Sequence, residues 1–121
     1  MENPILPTLA VLALLASPAT ALAHAHLKAA SPSPKSVLQS APKEVAIDFT
    51  EDLEPKFSTI EVTDPTGARV DQGDVHVGAD DARHLAVSLK PLQPGTYSVK
   101  WRATATYTHK TEGKFTFTVA P

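Results

Sequence analysis

Apolar and polar residues alternate along most of the chain in short runs of period two. Val45, Ile47 and Phe49 are separated by Ala46 and Asp48, Ile60 and Val62 flank Glu61, and Leu85, Val87 and Leu89 are separated by Ala86 and Ser88. Successive side chains of a strand point to opposite faces, so each run predicts a strand with one apolar face. The clearest runs are Tyr97, Val99 and Trp101 against Ser98, Lys100 and Arg102, and Phe115, Phe117 and Val119 against Thr116 and Thr118. These two read as central strands, with Trp101 in the core. No apolar stripe recurs at helical spacing after residue 23. Asp64-Pro65-Thr66-Gly67 reads as a hairpin turn and Pro91 to Gly95 as a bend between strands. The approach Leu92-Gln93-Pro94-Gly95-Thr96-Tyr97 matches a tyrosine corner, in which a phenol hydroxyl bonds back to nearby backbone. About seven strands result, and the fold class expected is all-β: an immunoglobulin-like antiparallel Greek-key β-sandwich, with Ser31 to Pro42 an ordered loop between the first strands.

The beginning of the chain is different. Ile5 to Leu22 is uncharged and rich in Leu and Ala, is broken by Pro7 and Pro18, and runs into Ala21-Leu22-Ala23, an A-x-A cleavage signature. Residues 1–23 therefore read as a secretory signal peptide, although Glu2 stands where a basic residue is usual, and residues 24–121 as one β-sandwich domain in the periplasm. Cleavage after Ala23 makes His24 the mature N-terminus. A second A-x-A triplet, Ala23-His24-Ala25, would make it His26. No stop-transfer cluster follows the leader, so no stable membrane insertion is expected once it is removed.

Charge and composition narrow the chemistry. The 121 residues carry a net charge of −2 with both signs interspersed, so nucleic acid is not an expected partner. Cysteine is absent and the single Met is Met1. Any metal site is then made of imidazole, carboxylate and amine, and a soft Cu(I) methionine site is not expected. Of the five histidines, His76 and His84 read as solvated or hydrogen-bonded surface residues. His24 is special because, after cleavage at Ala23, its α-amine and ring nitrogen can close a chelate on one ion. Nitrogen-rich tetragonal ligation favours Cu(II).

The mature start HAHLKAASP, the segment DFTEDLEPKFSTIEV and the ending PLQPGTYSVKWRATATYTHKTEGKFTFTV resemble the CopC/PcoC family of periplasmic copper-resistance proteins over almost the whole mature chain. The order and spacing of the ending are the most specific part. The resemblance implies an immunoglobulin-like sandwich whose Cu(II) ion is held by the amine and ring of His24 and by His109. It implies a periplasmic copper carrier without catalytic residues, with the copper ion as ligand and an inner-membrane copper transporter of the CopD type as partner. Many relatives carry an Asp two residues before the turn histidine, where this chain has Tyr107, so that carboxylate ligand is missing and His26 or water is left to complete the set. Glu51, in the acidic patch with Asp52 and Glu54, is a candidate to orient a ligating histidine.

Three alternatives stay open. His24-Ala25-His26 could wrap Cu(II) by itself, through the amine, two amide nitrogens and the His26 ring. Tyr107 beside a histidine brace also suits an oxidative copper enzyme like the lytic polysaccharide monooxygenases, although nothing here resembles their flat aromatic substrate platform. A metal-free interaction sandwich is the third.

Overall fold

The computed structural model describes residues 24–107 and 109–121; the leader expected at residues 1–23 lies outside them. The fold is an immunoglobulin-like β-sandwich of two four-stranded sheets. In chain order the strands are β1 (Leu27–Ser31), β2 (Val37–Leu38), β3 (Glu44–Phe49), β4 (Thr59–Thr63), β5 (His76–Gly78), β6 (Asp81–Ser88), β7 (Gly95–Thr104) and β8 (Lys110–Val119), with one 3-10 turn at Pro55–Phe57. One sheet has the order β1-β3-β6-β5 and the other β2-β8-β7-β4. Among the described residues no helix is long and apolar enough to cross a membrane.

The alternating runs are the core. Val45, Ile47, Phe49, Ile60, Val62, Leu85, Val87 and Val99 are all buried between the sheets. Removing such faces from water, at roughly 25 cal/mol per Å² of apolar surface, is the main force holding the layers together. Two aromatic pairs order the middle: Phe49 meets Trp101 edge to face at 5.2 Å, and Tyr97 stacks on Phe117 at 5.4 Å. The Tyr97 hydroxyl donates to the Gln93 carbonyl at 2.6 Å, which is the tyrosine corner expected from the sequence. The Asp64–Gly67 turn is also present: Gly67 N–H donates to the Asp64 carbonyl at 2.9 Å with Gly67 at φ 91°, and Thr63 pairs with Arg69 across it.

The structure has eight strands where about seven were expected, and two of them are too short for alternation to register. β5 has three residues and β2 two, and β2 pairs with the end of β8 in parallel, Val37 against Thr118, so the sandwich is not antiparallel throughout. The segment expected to be a loop between the first strands contains this strand.

Trp101 and Gly113 are partners in the β7–β8 register, and the indole lies across the glycine. A Cβ at Gly113 would sit 2.7 Å from Trp101 Cζ2, inside any permitted contact. A second fixed point is Asp71, which is 5% exposed. Its carboxylate accepts from Val62 N–H at 2.8 Å, Gly73 N–H at 3.0 Å, and Arg69 Nε and Nη2 at 2.7 and 2.8 Å. Burial by itself pushes this acid upward, but the Arg69 bonds and the two backbone N–H groups outweigh it and hold Asp71 below the ordinary carboxylate range.

Gly113→Ala should cost about 1–3 kcal/mol of stability and shift the fluorescence of the single tryptophan. Asp71→Asn should cost about 2 kcal/mol at neutral pH, because charge-assisted bonds become neutral ones. A group with a lowered folded pKa stabilises above its unfolded value and loses that contribution as pH falls through the folded one. The gap in urea stability between wild type and Asp71→Asn should therefore be full at pH 6–7 and close below about pH 4; a gap that persists undiminished at pH 2 would contradict the assignment.

Candidate metal centre at one end of the sandwich

The segment after β3 ties the two sheets together at one end. Leu53 forms a bridge with Ala105, just after β7, while its N–H donates to the Ala82 carbonyl of β6 at 2.9 Å. Glu54 N–H donates to the Thr104 carbonyl at 2.8 Å and Thr106 N–H to the Asp52 carbonyl at 3.1 Å. Arg83 adds an exposed ion pair to Asp52 at 3.2 Å. Such an exposed pair contributes little by itself, so the backbone bonds and the buried Leu53 carry this junction.

Against this end lie the residues preceding β1. Thr50 N–H donates to the His26 carbonyl at 3.0 Å, His26 N–H donates to Thr50 Oγ1 at 3.0 Å, and the same hydroxyl donates to the His24 carbonyl at 3.3 Å. On the other side Thr111 Oγ1 of β8 donates to the Ala25 carbonyl at 2.5 Å. The Ala25 methyl is fully buried in the core. The segment is thus held between the residue that follows β3 in one sheet and β8 of the other.

His109 lies in the connection from β7 to β8, and its carbonyl accepts from Ala105 N–H at 2.9 Å. The centres of the His24 and His109 rings are 4.6 Å apart, tilted by 41°, and His26 is 6.2 Å from His24. All three sequence-predicted histidines are therefore neighbours at one end of the molecule, His24 and His109 half-buried and His26 exposed. Metal–imidazole bonds of about 2.0 Å place a ring centre about 3 Å from the ion, so two rings on one ion lie about 4–6 Å apart. The observed separation of His24 and His109 falls in that interval. Among the described residues no group of three or more His, Asp or Glu side chains closes on one point. The imidazoles of His24 and His109 already stand at that separation, and a further donor would come from the backbone of His24, from the neighbouring His26 ring or from solvent.

The remaining polar candidates sort themselves. Tyr107 is 77% exposed in the same connection as His109. His84 Nδ1 lies 2.7 Å from Asp48 Oδ1, and His76 Nδ1 lies 2.8 Å from the Asp74 carbonyl, so both are hydrogen-bonded surface histidines as expected. The orienting role considered for Glu51 has no counterpart: among the described residues the side chain that reaches the His24–His26 segment from this stretch is Thr50. Thr50 and Thr111 are the functional candidates that the sequence reading missed. Each is a threonine at a strand end, and nothing local separates it from the chain's other threonines.

An immunoglobulin-like sandwich with two imidazoles from distant parts of the chain brought together at one end is the class of protein defined so far. Residues 27–120 match the CopC domain, and the chain belongs to the CopC family. The crystal structure of CopC from Methylosinus trichosporium OB3b is similar at 39% identity with a TM-score of 0.76, covering 81% of this chain and 95% of that one. PcoC, a methionine-rich copper resistance protein from Escherichia coli, is similar at 35% identity with a TM-score of 0.71, covering 80% of this chain and 99% of that one. The copper transport protein CutJ of Bacillus subtilis (strain 168) is 34% identical over 110 residues, which is 90% of this chain and 20% of that protein.

Proposed function

We propose that this protein binds copper as cargo, holding Cu(II) at the end of the sandwich through the His24 ring and amine and the His109 ring, with His26 as a further ligand. The amine exists only after cleavage between Ala23 and His24, so the reading includes export to the periplasm and removal of residues 1–23. The observation that carries it is the 4.6 Å approach of the His24 and His109 rings, which come from the N-terminal segment and the last hairpin. The naming of its relatives for copper resistance and copper transport supports the same choice of metal.

Each residue has a definite task on this reading. Amine and imidazole nitrogens both yield their protons to a metal near neutral pH, and a site of nitrogen donors favours Cu(II) over softer ions. The β7–β8 hairpin fixes His109 and the pairing with Thr50 fixes His24, so less ordering remains to be done when the ion arrives. PcoC is described as methionine-rich, whereas here the single Met is Met1. With no thioether or thiolate in residues 24–121, the cargo is the oxidised ion. The protein acts as a carrier or buffer that passes copper to an inner-membrane transporter of the CopD type. In keeping with this, a segment like this chain occupies a fifth of the copper transport protein CutJ.

Copper titration of the processed protein tests the assignment. His109→Ala should lower Cu(II) affinity at least tenfold, about 1.4 kcal/mol, and change the EPR parameters. One residue added before His24 should also weaken binding, since the amine then no longer chelates with that ring. Tyr107→Asp should tighten it by adding a charged oxygen donor. Indifference to both His109→Ala and the added residue would remove the proposal.

A further inference from the structure

The three residues His24, Ala25 and His26 carry two incompatible ways of holding an ion. In one, the His24 ring stays where it is and meets His109. In the other, the backbone curls so that the amine, the two following amide nitrogens and the His26 ring surround the ion in one plane, and His109 takes no part. Both use the same first residue, so local sequence does not choose between them.

The hydrogen bonds around the segment do. Thr50 Oγ1 is engaged twice, accepting from His26 N–H at 3.0 Å and donating to the His24 carbonyl at 3.3 Å, while Thr50 N–H holds the His26 carbonyl at 3.0 Å. Thr111 Oγ1 holds the Ala25 carbonyl from the opposite side at 2.5 Å. Consecutive carbonyls thus point alternately toward β3 and toward β8, as they do in an extended strand. Turning the nitrogens of three successive residues toward one point would break this alternation. It would also release the His26 N–H from its acceptor and withdraw the Ala25 methyl from a fully buried position. Burial of one methyl is a small term, but four hydrogen bonds at a half-buried seam act together with it.

We infer that Thr50 and Thr111 are positioning residues that select the coordination mode: together they keep His24–His26 extended, commit its copper to His109, and withhold the backbone from enclosing the ion with His26. The inference rests on the proposed role of His24 as the mature N-terminus and adds to it the two hydroxyls that determine which neighbours His24 can share an ion with.

The experiment compares processed wild type with Thr50→Val/Thr111→Val, which keeps β-branched side chains of similar shape and deletes only the hydroxyls, and with Thr50→Ser/Thr111→Ser, which retains them. Cu(II) alone is the probe, read by EPR nitrogen hyperfine structure and visible absorption. In wild type and in the serine variant, His109→Ala should weaken binding at least tenfold and His26→Ala by less. In the valine variant the ranking should reverse, with His26→Ala now costing at least tenfold and the spectrum gaining equatorial nitrogen character. A folded valine variant that keeps the wild-type spectrum and its dependence on His109 would overturn the inference while leaving the copper site in place. Wild-type protein that depends on His26 and ignores His109 would overturn it as well, with copper binding retained. Binding indifferent to both histidines and to a residue added before His24 would remove the underlying site, and the inference with it. Should the valine variant fail to fold, hydrogen exchange of metal-free wild type decides the matter: the His26 amide should exchange at least tenfold more slowly than an unstructured one, and exchange at the unstructured rate would refute the clamp.

Discussion

The histidine end of this molecule depends on the distance between the two sheets at the seam formed by residues 50–54. His24 is carried by the sheet containing β1 and β3, and His109 by the hairpin of the opposite sheet, so their rings can be neighbours only if the layers are held at a fixed spacing there. The Leu53–Ala105 bridge, the Leu53 bond to Ala82 and the Glu54 bond to Thr104 set that spacing from the backbone. Backbone bonds suit the purpose because they do not titrate and have few rotamers to lose. An ion pair such as Arg83–Asp52, exposed on both sides, would be weakened by salt.

How far this was legible in the sequence follows from the range of each interaction. Val45, Ile47 and Phe49, and Tyr97, Val99 and Trp101, announce buried faces because period-two alternation is local, and they are buried. The Tyr97 corner is legible for the same reason, since its acceptor is four residues away. β2 and β5 are too short for alternation to register, and the parallel pairing of β2 with β8 exists only through the closure of the whole sandwich. The pairing of His24 with His109 came from a likeness to other sequences, since no spacing rule connects such distant residues. Thr50 and Thr111 were invisible because their partners are backbone atoms 24 to 86 positions away. Glu51 is the more conspicuous residue chemically, but the hydroxyl of its neighbour Thr50 is what meets the His24–His26 segment.

The end that bears the histidines is also asymmetric in how its parts are held. His24 is anchored through its own carbonyl, its neighbour's carbonyl and a buried methyl, whereas His109 is fastened by its carbonyl to Ala105 within a short connection. Tyr107 is largely exposed in that connection, so a change of residue there would alter the groups near His109 and leave the Thr50 and Thr111 bonds to the His24–His26 segment in place.

The indole of Trp101 over Gly113 has a consequence for the accuracy of assembly. Paired residues in an antiparallel hairpin slip in steps of two, and either step would bring Thr111 or Phe115 beneath the indole in place of the glycine. Neither leaves room for it, because even a methyl carbon at the native position would overlap the ring. The Trp101–Gly113 pair therefore disfavours both neighbouring alignments of the hairpin. The position of His109 along the sandwich axis is thus tied to the missing side chain of Gly113, whose place the indole fills.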